Sequence, residues 1–326
     1  MKFRLPILFI LLFCFCISEA NHLIGGEITY THISSNNYRI NVTLYRDCND
    51  GKLDNQGGGS STSQGSYLTE AFIRTTTTNC QNKNIGSISL TKTGFENITP
   101  ICDLNKSACG NNPTYPYGIE AHYYTGTINF DSYTQYNGCG FHIFIHQATR
   151  NEDINTLATE EEDLYNYVYI NPWLENKSSP SFINPPNVLY NFNQPVRSGD
   201  YVSHNNNDSI VYKWSAPQKS HNSNIQYKTN YSAQQFISTY CPSGTNCTAN
   251  PSSNPPQGLY LNSKTGDYSF TPTSLNQTST RVIEIEQWRK HNGNTYLSSK
   301  IRRDILVRII NENGNNAPKI AADETF

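Results

Sequence analysis

The chain has 326 residues, enough by the usual scaling for two domains of ordinary size, each able to bury a core. Only 15 % of it is charged and 36 % hydrophobic, with 22 Tyr, 20 Gly and 16 Pro, a mixture that suits short strands and polar turns better than helices. The formal charge is −2, or −3 once residues 1–20 are set aside, which gives no electrostatic footprint for nucleic acid as a partner.

Lys2 and Arg4 precede an apolar run from 5 to 17 and the small-residue site Ser18-Glu19-Ala20, so residues 1–20 read as a signal peptide cleaved before Asn21. The run is shorter than the roughly 20 apolar residues of a spanning helix, and no later segment approaches that length. Phe13 and Phe15 stand before Cys14 and Cys16 where a lipid anchor needs a small residue, so a secreted or cell-surface product without a membrane span is expected. Seven cysteines follow: Cys48, Cys80, Cys102, Cys109, Cys139, Cys241 and Cys247. In an exported chain these are read as disulfide candidates. Cys102 with Cys109 and Cys241 with Cys247 would each close a small loop, and those two bridges are expected; Cys48, Cys80 and Cys139 then leave one thiol over.

Residues 28–30 and 38–46 alternate as two strands about the turn Asn36-Asn37. Residues 50–64 are Gly- and Ser-rich and lack the Lys-Ser or Lys-Thr of a phosphate loop, so they read as a surface loop. Further strands are predicted over 68–75, 85–91, 123–130 and 141–146. His142 and His146 share a strand face, but no third metal ligand accompanies them, and solvent-facing or core-edge positions are expected. The acidic stretch 151–163 reads as a short helix or solvated loop, and 165–170 returns to alternation. A boundary within 172–186 divides the chain into an N-terminal cysteine-containing β-domain, 21–172, and an Ig-like β-sandwich, 173–312.

In the second unit, 209–214 is a strand and 232–237 one or two helical turns. Residues 258–310 organise the whole. A hairpin turns at 264–267, and a longer one turns at His291-Asn292-Gly293-Asn294, with Ile283 and Ile285 leading in and Ile301, Arg303, Ile305, Val307 and Ile309 leading out. Hairpins with one apolar face must close on another sheet. The predicted fold is therefore all-β, two tandem disulfide-supported β-sandwich (Ig-like) domains. Residues 313–326 have linker composition and read as leading into a further region.

Several stretches in order carry a family resemblance: HLIGGEITY from His22, INVTLYRDC ending at Cys48, ITPICDL with Cys109 beyond it, YGIEAHYYTGTI from Tyr117, NKSSPSFINPP from Asn176, NNDSIVYKW ending at Trp214, and GLYLNSKTGDYSFTPT with the distal IRRDILV. Together they resemble the N-terminal region of large secreted Bacteroidetes surface proteins built with Ig-like or PKD-like domains and a gliding-motility-associated C-terminal sorting domain. No such sorting domain is recognisable here. The resemblance implies adhesion or gliding motility at the cell surface. Relatives carry paired cysteines where Ala148-Thr149 precede Arg150-Asn151, which implies a Cys139 without its usual partner. They also carry an Asp-x-Asp-Gly-Asp turn where this chain has residues 204–208, which thins a family calcium site to Asp200 and Asp208 and leaves no cofactor expected.

No local signature of a nucleophile with its base, a zinc triad or a phosphate loop is present, so no catalytic residues are assigned. The expected function is a non-enzymatic structural or adhesive module facing an extracellular surface or polysaccharide. The alternative is a carbohydrate-binding module using Trp173, Trp214 or Trp288.

Overall fold

The computed structural model describes residues 23–48, 68–76, 80–147, 150, 151, 153–159, 162–174, 177–204, 208–244 and 247–312. The expected signal peptide, the Gly-rich stretch 50–64 and the tail 313–326 lie outside the described residues. The strands of the first half are β1 (Leu23–Ser34), β2 (Asn37–Asp47), β3 (Glu70–Thr75), β4 (Asn84–Ser89), β5 (Thr91–Asn97), β6 (Ile119–Asn129), β7 (Phe141–Gln147) and β8 (Leu164–Ile170). Short strands follow: β9 (Ser181–Phe182), β10 (Leu189–Asn191), β11 (Val196–Gly199), β12 (Val202–Ser203), β13 (Ser209–Ser215), β14 (Gln218–Ser220), β15 (Ser223–Asn224), β16 (Tyr260–Leu261) and β17 (Asp267–Phe270). A long hairpin closes the order, β18 (Thr278–His291) and β19 (Asn294–Ile310). The protein is nearly all β, as its composition predicts.

The first half is a sandwich of β4-β3-β7-β8 against β5-β6-β2-β1. Alternation builds it: Tyr38, Ile40, Val42 and Leu44 of β2 point inward to meet Ile73, Ile143, Ile145 and Val168 of the opposing layer. On one side the layers join through the chain itself. Only Leu90 separates β4, which pairs with β3, from β5, which pairs with β6, and Leu90 turns into the core at the corner.

The other side is closed from the far end of the sequence. β18 pairs with β19 from Asn294 to Arg308 and so occupies one edge of it; every other neighbour must use the opposite edge. Along that edge lie β8 at Ser299 and Lys300, β1 at Arg303 to Ile305, and β10, in parallel, at Arg308 to Ile310. β19 therefore forks the sandwich wall between β8 and β1. The fork brings backbones unusually close. A Cβ on Gly25, whose φ is +150°, would stand 2.0 Å from the Asp304 carbonyl oxygen. Asn166 of β8 fills the split, donating from Nδ2 to the Gly26 and Arg302 carbonyls at 2.7 and 3.3 Å. The tip of the hairpin has the positive φ that a tight turn needs, 49° at Asn292 and 79° at Gly293.

Beyond the fork β19 enters a second core, in which Ile305, Leu306, Val307 and Ile309 meet Tyr190, Phe236, Tyr268 and Phe270. Ile24, Tyr45, Ile119 and Ala121, from the outer face of the first sandwich, belong to the same core. The expected division at 172/173 is thus not a division of the sheet: one strand serves both cores, and β1 and β8 are paired to it across the proposed boundary. The acidic stretch also departs from the expected solvated reading. Ile154, Thr156 and Leu157 are buried, and Leu157 bridges to Tyr227. Residues 232–237 make a turn with Ser232 bridged to Gln235 rather than a helix.

Two disulfides obey one rule. Cys48 follows β2 and Cys109 lies in the loop that leads to β6, its antiparallel neighbour; their Cα atoms are 5.1 Å apart. Cys80 follows β3 and Cys139 precedes β7, again neighbours, with Cα atoms 6.1 Å apart. This corrects one expectation: Cys102 does not pair with Cys109 but is exposed and free, while Cys139 pairs with Cys80, one of the three cysteines whose pairing was open. The loop doubles back through Ala108 N donating to Tyr117 O, and Cys48 N donates to Gly118 O, so strand pairing rather than sequence proximity selects the partner. Cys241 and Cys247 are at disulfide distance, Cα to Cα 5.8 Å.

Candidate functional site: a buried charge cluster and two open clefts

The fork concentrates charge. On a strand buried on both faces an arginine has no water to reach, so its guanidinium must find oxygens within the protein. Arg303 donates from Nε to Glu27 at 2.6 Å, from Nη1 to Asp200 at 3.0 Å and from Nη2 to the Asn184 carbonyl at 3.0 Å, with its plane 3.7 Å from the Phe182 ring centroid. Arg281 of β18 reaches the other oxygen of Asp200 at 2.9 Å and lies over Tyr268. Burial opposes the Arg281 charge, but Asp200, Tyr190 and Tyr268 together more than offset this and its pKa is raised. On the opposite face Arg150 grips Asp304 with both terminal nitrogens at 2.7 Å. Arg302 donates to Gln218 Oε1 at 2.8 Å and Ala216 O at 2.7 Å, and packs on Tyr167.

The calcium candidates are drawn into this system. Asp200 is shared by Arg281 and Arg303. Asp208 accepts from Arg289 Nε and Nη2 at 2.8 and 2.9 Å and from Gln287 at 2.6 Å. Burial pushes the Asp208 carboxyl up, but Arg289 and Gln287 prevail and its pKa is lowered. Both calcium candidates are thus engaged by guanidinium groups, and residues 205–207 of the same turn lie outside the described residues. Cys48, Cys109 and Glu120 also offer ligand atoms within 4.8 Å of one another, but the two sulfurs are bonded together and are not thiolates.

The histidines are separated. His142 stands opposite Tyr169 on β8, its ring 4.1 Å from Tyr167 and 5.6 Å from His221. Burial, with His221 and nearby cations, brings its pKa down to about 3. His146 stands opposite Tyr165 and pairs with Asp163 at 2.8 Å on the surface. A further pair, His122 with Glu120 at 3.0 Å, is buried; Arg46 holds the same carboxylate and the Phe95 ring stacks over the imidazole. Burial pushes the Glu120 carboxyl up, but His122 and Arg46 outweigh it and hold the pKa low. That pair is built as a salt-bridged strand contact. Sequence reading missed it because Glu120 and His122 alternate with Ile119 and Ala121 like any polar strand face.

Two open clefts stand out among the described residues. One is a groove of about 560 Å³ beside the long hairpin, lined by Trp288, Lys290, Thr295, Ser209 and Val211. The Trp288 indole donates to Glu286 at 3.1 Å, which fixes the ring. The other two tryptophans are structural: Trp173 donates to the Cys139 carbonyl among Phe130 and Phe141, and Trp214 packs on Phe236 and Tyr268. The second opening is a polar cleft of about 500 Å³ where β1 leaves β19 and is taken over by residues 177–181.

No helix among the described residues is long and apolar enough to cross a membrane. No family model matches the sequence, and no curated protein is significantly similar to it.

Proposed function

We propose that this chain is an exported, non-catalytic structural or adhesive module of the cell surface, of the kind its resemblance to Bacteroidetes surface proteins implies, acting in adhesion or gliding motility. The observation that carries the reading is the disposition of its ionisable groups. The buried carboxylates and guanidiniums at the fork are engaged with one another, Asp200 with Arg281 and Arg303, Asp304 with Arg150 and Asp208 with Arg289, so they hold strands together rather than face a substrate. Disulfides that tie strand ends support an oxidising, extracellular setting. The test is labelling of intact native cells with an antibody to residues 21–312, together with attachment of a deletion strain. Surface labelling and reduced attachment are expected; a protein found only inside cells, or a deletion without effect on attachment or movement, overturns the reading.

The second reading, a carbohydrate-binding module, is favoured by one feature: Trp288 lines an open groove, with a ring orientation fixed by Glu286. A glycan array with the wild type and Trp288→Ala separates the readings. Saturable binding lost in the variant favours the lectin; an array without hits removes it.

A further inference from the structure

We infer that the groove at Trp288 takes a carboxylated saccharide, with one ring face stacked on the indole and the carboxylate on Lys290, and that Glu286 is the residue that positions the indole. The inference rests on the carbohydrate reading of this same groove and names its ligand class.

The groove crosses three strands. Trp288 and Lys290 are two residues apart on β18 and so share a face; Ser209 of β13 stands opposite Trp288, and Thr295 of β19 stands opposite Lys290. Residues two apart on a strand are spaced by about 6.5 Å, close to the length of one pyranose residue, so a sugar lying on the indole brings a ring substituent to the ammonium. The volume, about 560 Å³, is in the range of small-ligand sites.

The polar edge of the indole is already used. Glu286 Oε2 accepts from Trp288 Nε1 at 3.1 Å and from Lys213 Nζ at 2.7 Å, while Lys300 stands 3.5 Å from its other oxygen. Burial pushes the Glu286 carboxyl up, but Lys213, Lys300 and Trp288 outweigh it and its pKa is lowered, so at neutral pH it stays an acceptor that holds the ring. With Nε1 consumed, Trp288 offers the groove an aromatic surface and no donor, which selects a ligand with an apolar ring face. The cations of this face divide by task. Lys213 and Lys300 are committed to Glu284 and Glu286, whereas Lys290 is exposed and forms no ion pair with a described residue. Ser209 and Thr295 add hydroxyls on either side of the aromatic and the ammonium. A ring face, a carboxylate and several hydroxyls are the chemistry of a uronic acid residue.

The experiment is calorimetric titration of the purified protein with a galacturonic acid tetrasaccharide, a neutral galactose tetrasaccharide and a tetraglutamate peptide, which separate the ring face from the carboxylate. Saturable binding is expected for the first, at least tenfold weaker binding for the second and none for the third. Lys290→Ala should remove the preference for the acidic sugar, with a thermal midpoint near wild type because that side chain is exposed. Trp288→Ala should abolish binding. The positioning role is read by fluorine NMR of fluorotryptophan-labelled protein, in which the Trp288 resonance is the one lost in Trp288→Ala. Glu286→Ala should shift and broaden that resonance and weaken binding several-fold, and Glu286→Gln, which keeps an acceptor oxygen, should restore most of both. Equal binding of the two tetrasaccharides, lost in Trp288→Ala, overturns the inference and leaves the carbohydrate reading standing. So does an acidic preference that survives in Lys290→Ala. Tetraglutamate binding as tight as the acidic sugar, or no saturable binding of the acidic sugar, also overturns it, and the glycan array then decides the carbohydrate reading by itself. A Trp288 resonance unmoved in Glu286→Ala overturns the positioning role.

Discussion

Asp304 is the most informative residue to change. It is fully buried on β19 and accepts two charge-assisted hydrogen bonds at 2.7 Å from Arg150, itself 5 % exposed. Asp304→Leu leaves a guanidinium buried without its counter-charge, which costs about 3–5 kcal/mol. The intact pair contributes far less than that to net stability, because the desolvation of both ions nearly offsets their attraction. Removing both charges in Arg150→Met/Asp304→Leu should therefore restore most of the loss, to within about 1 kcal/mol of wild type. Equilibrium urea unfolding of the wild type, the two singles and the double completes the cycle. A single variant costing under about 1 kcal/mol, or a double costing the sum of its singles, would refute the reasoning that the pair is buried and mutually compensating.

Three further outcomes follow from the geometry. Gly25→Ala forces a methyl into the Asp304 carbonyl at 2.0 Å and should cost about 3 kcal/mol or more, whereas Gly94→Ala, with nothing within 4 Å, should change the urea midpoint negligibly. His142 is held neutral, so its folded pKa of about 3 lies below the ordinary 6.5; as pH falls below 6.5 the unfolded chain takes up a proton that the folded one refuses. Between pH 7 and 5 this should remove at most about 2 kcal/mol of stability, and His142→Phe should flatten the slope, leaving the contributions of His221, which is shifted the same way, and of carboxylates held low such as Glu120 and Glu286. An unchanged slope in that variant counts against the buried placement of the ring. Alkylation of the native protein should label Cys102 among the cysteines of 23–312, and non-reducing peptide mapping should join Cys48 to Cys109 and Cys80 to Cys139; a Cys102-Cys109 peptide would contradict the strand-neighbour rule.

The fold class and the long hairpin were legible because Ile283, Ile285, Ile301 and Ile305 keep a strict two-residue period about an Asn-Gly turn, which is local information. The sharing of β19 between two cores was not, since which edge takes β1, β8 or β10 depends on pairings across more than 100 residues. One signal was present. Arg303 sits in the same alternation as Ile301 and Ile305, and a charge on an otherwise apolar face marks a buried partner. The Gly25-Gly26 pair was visible as sequence, but its reason, the close approach of β19, exists only in the folded chain. Cysteine pairing failed for a related cause: short spacing minimises loop-closure cost, yet the strand ladder had already placed Cys109 beside Cys48.

Residues 299–305 complete the wall of the first sandwich, and the two halves should therefore unfold as one cooperative unit. The direct measurement is the dispersion of the amide NMR spectrum of residues 21–172 produced alone, compared with 21–312. A poorly dispersed, unfolded spectrum is expected for 21–172 and a single calorimetric transition for 21–312. A well-dispersed spectrum of the isolated 21–172 piece, overlaying that of the longer chain, would contradict it.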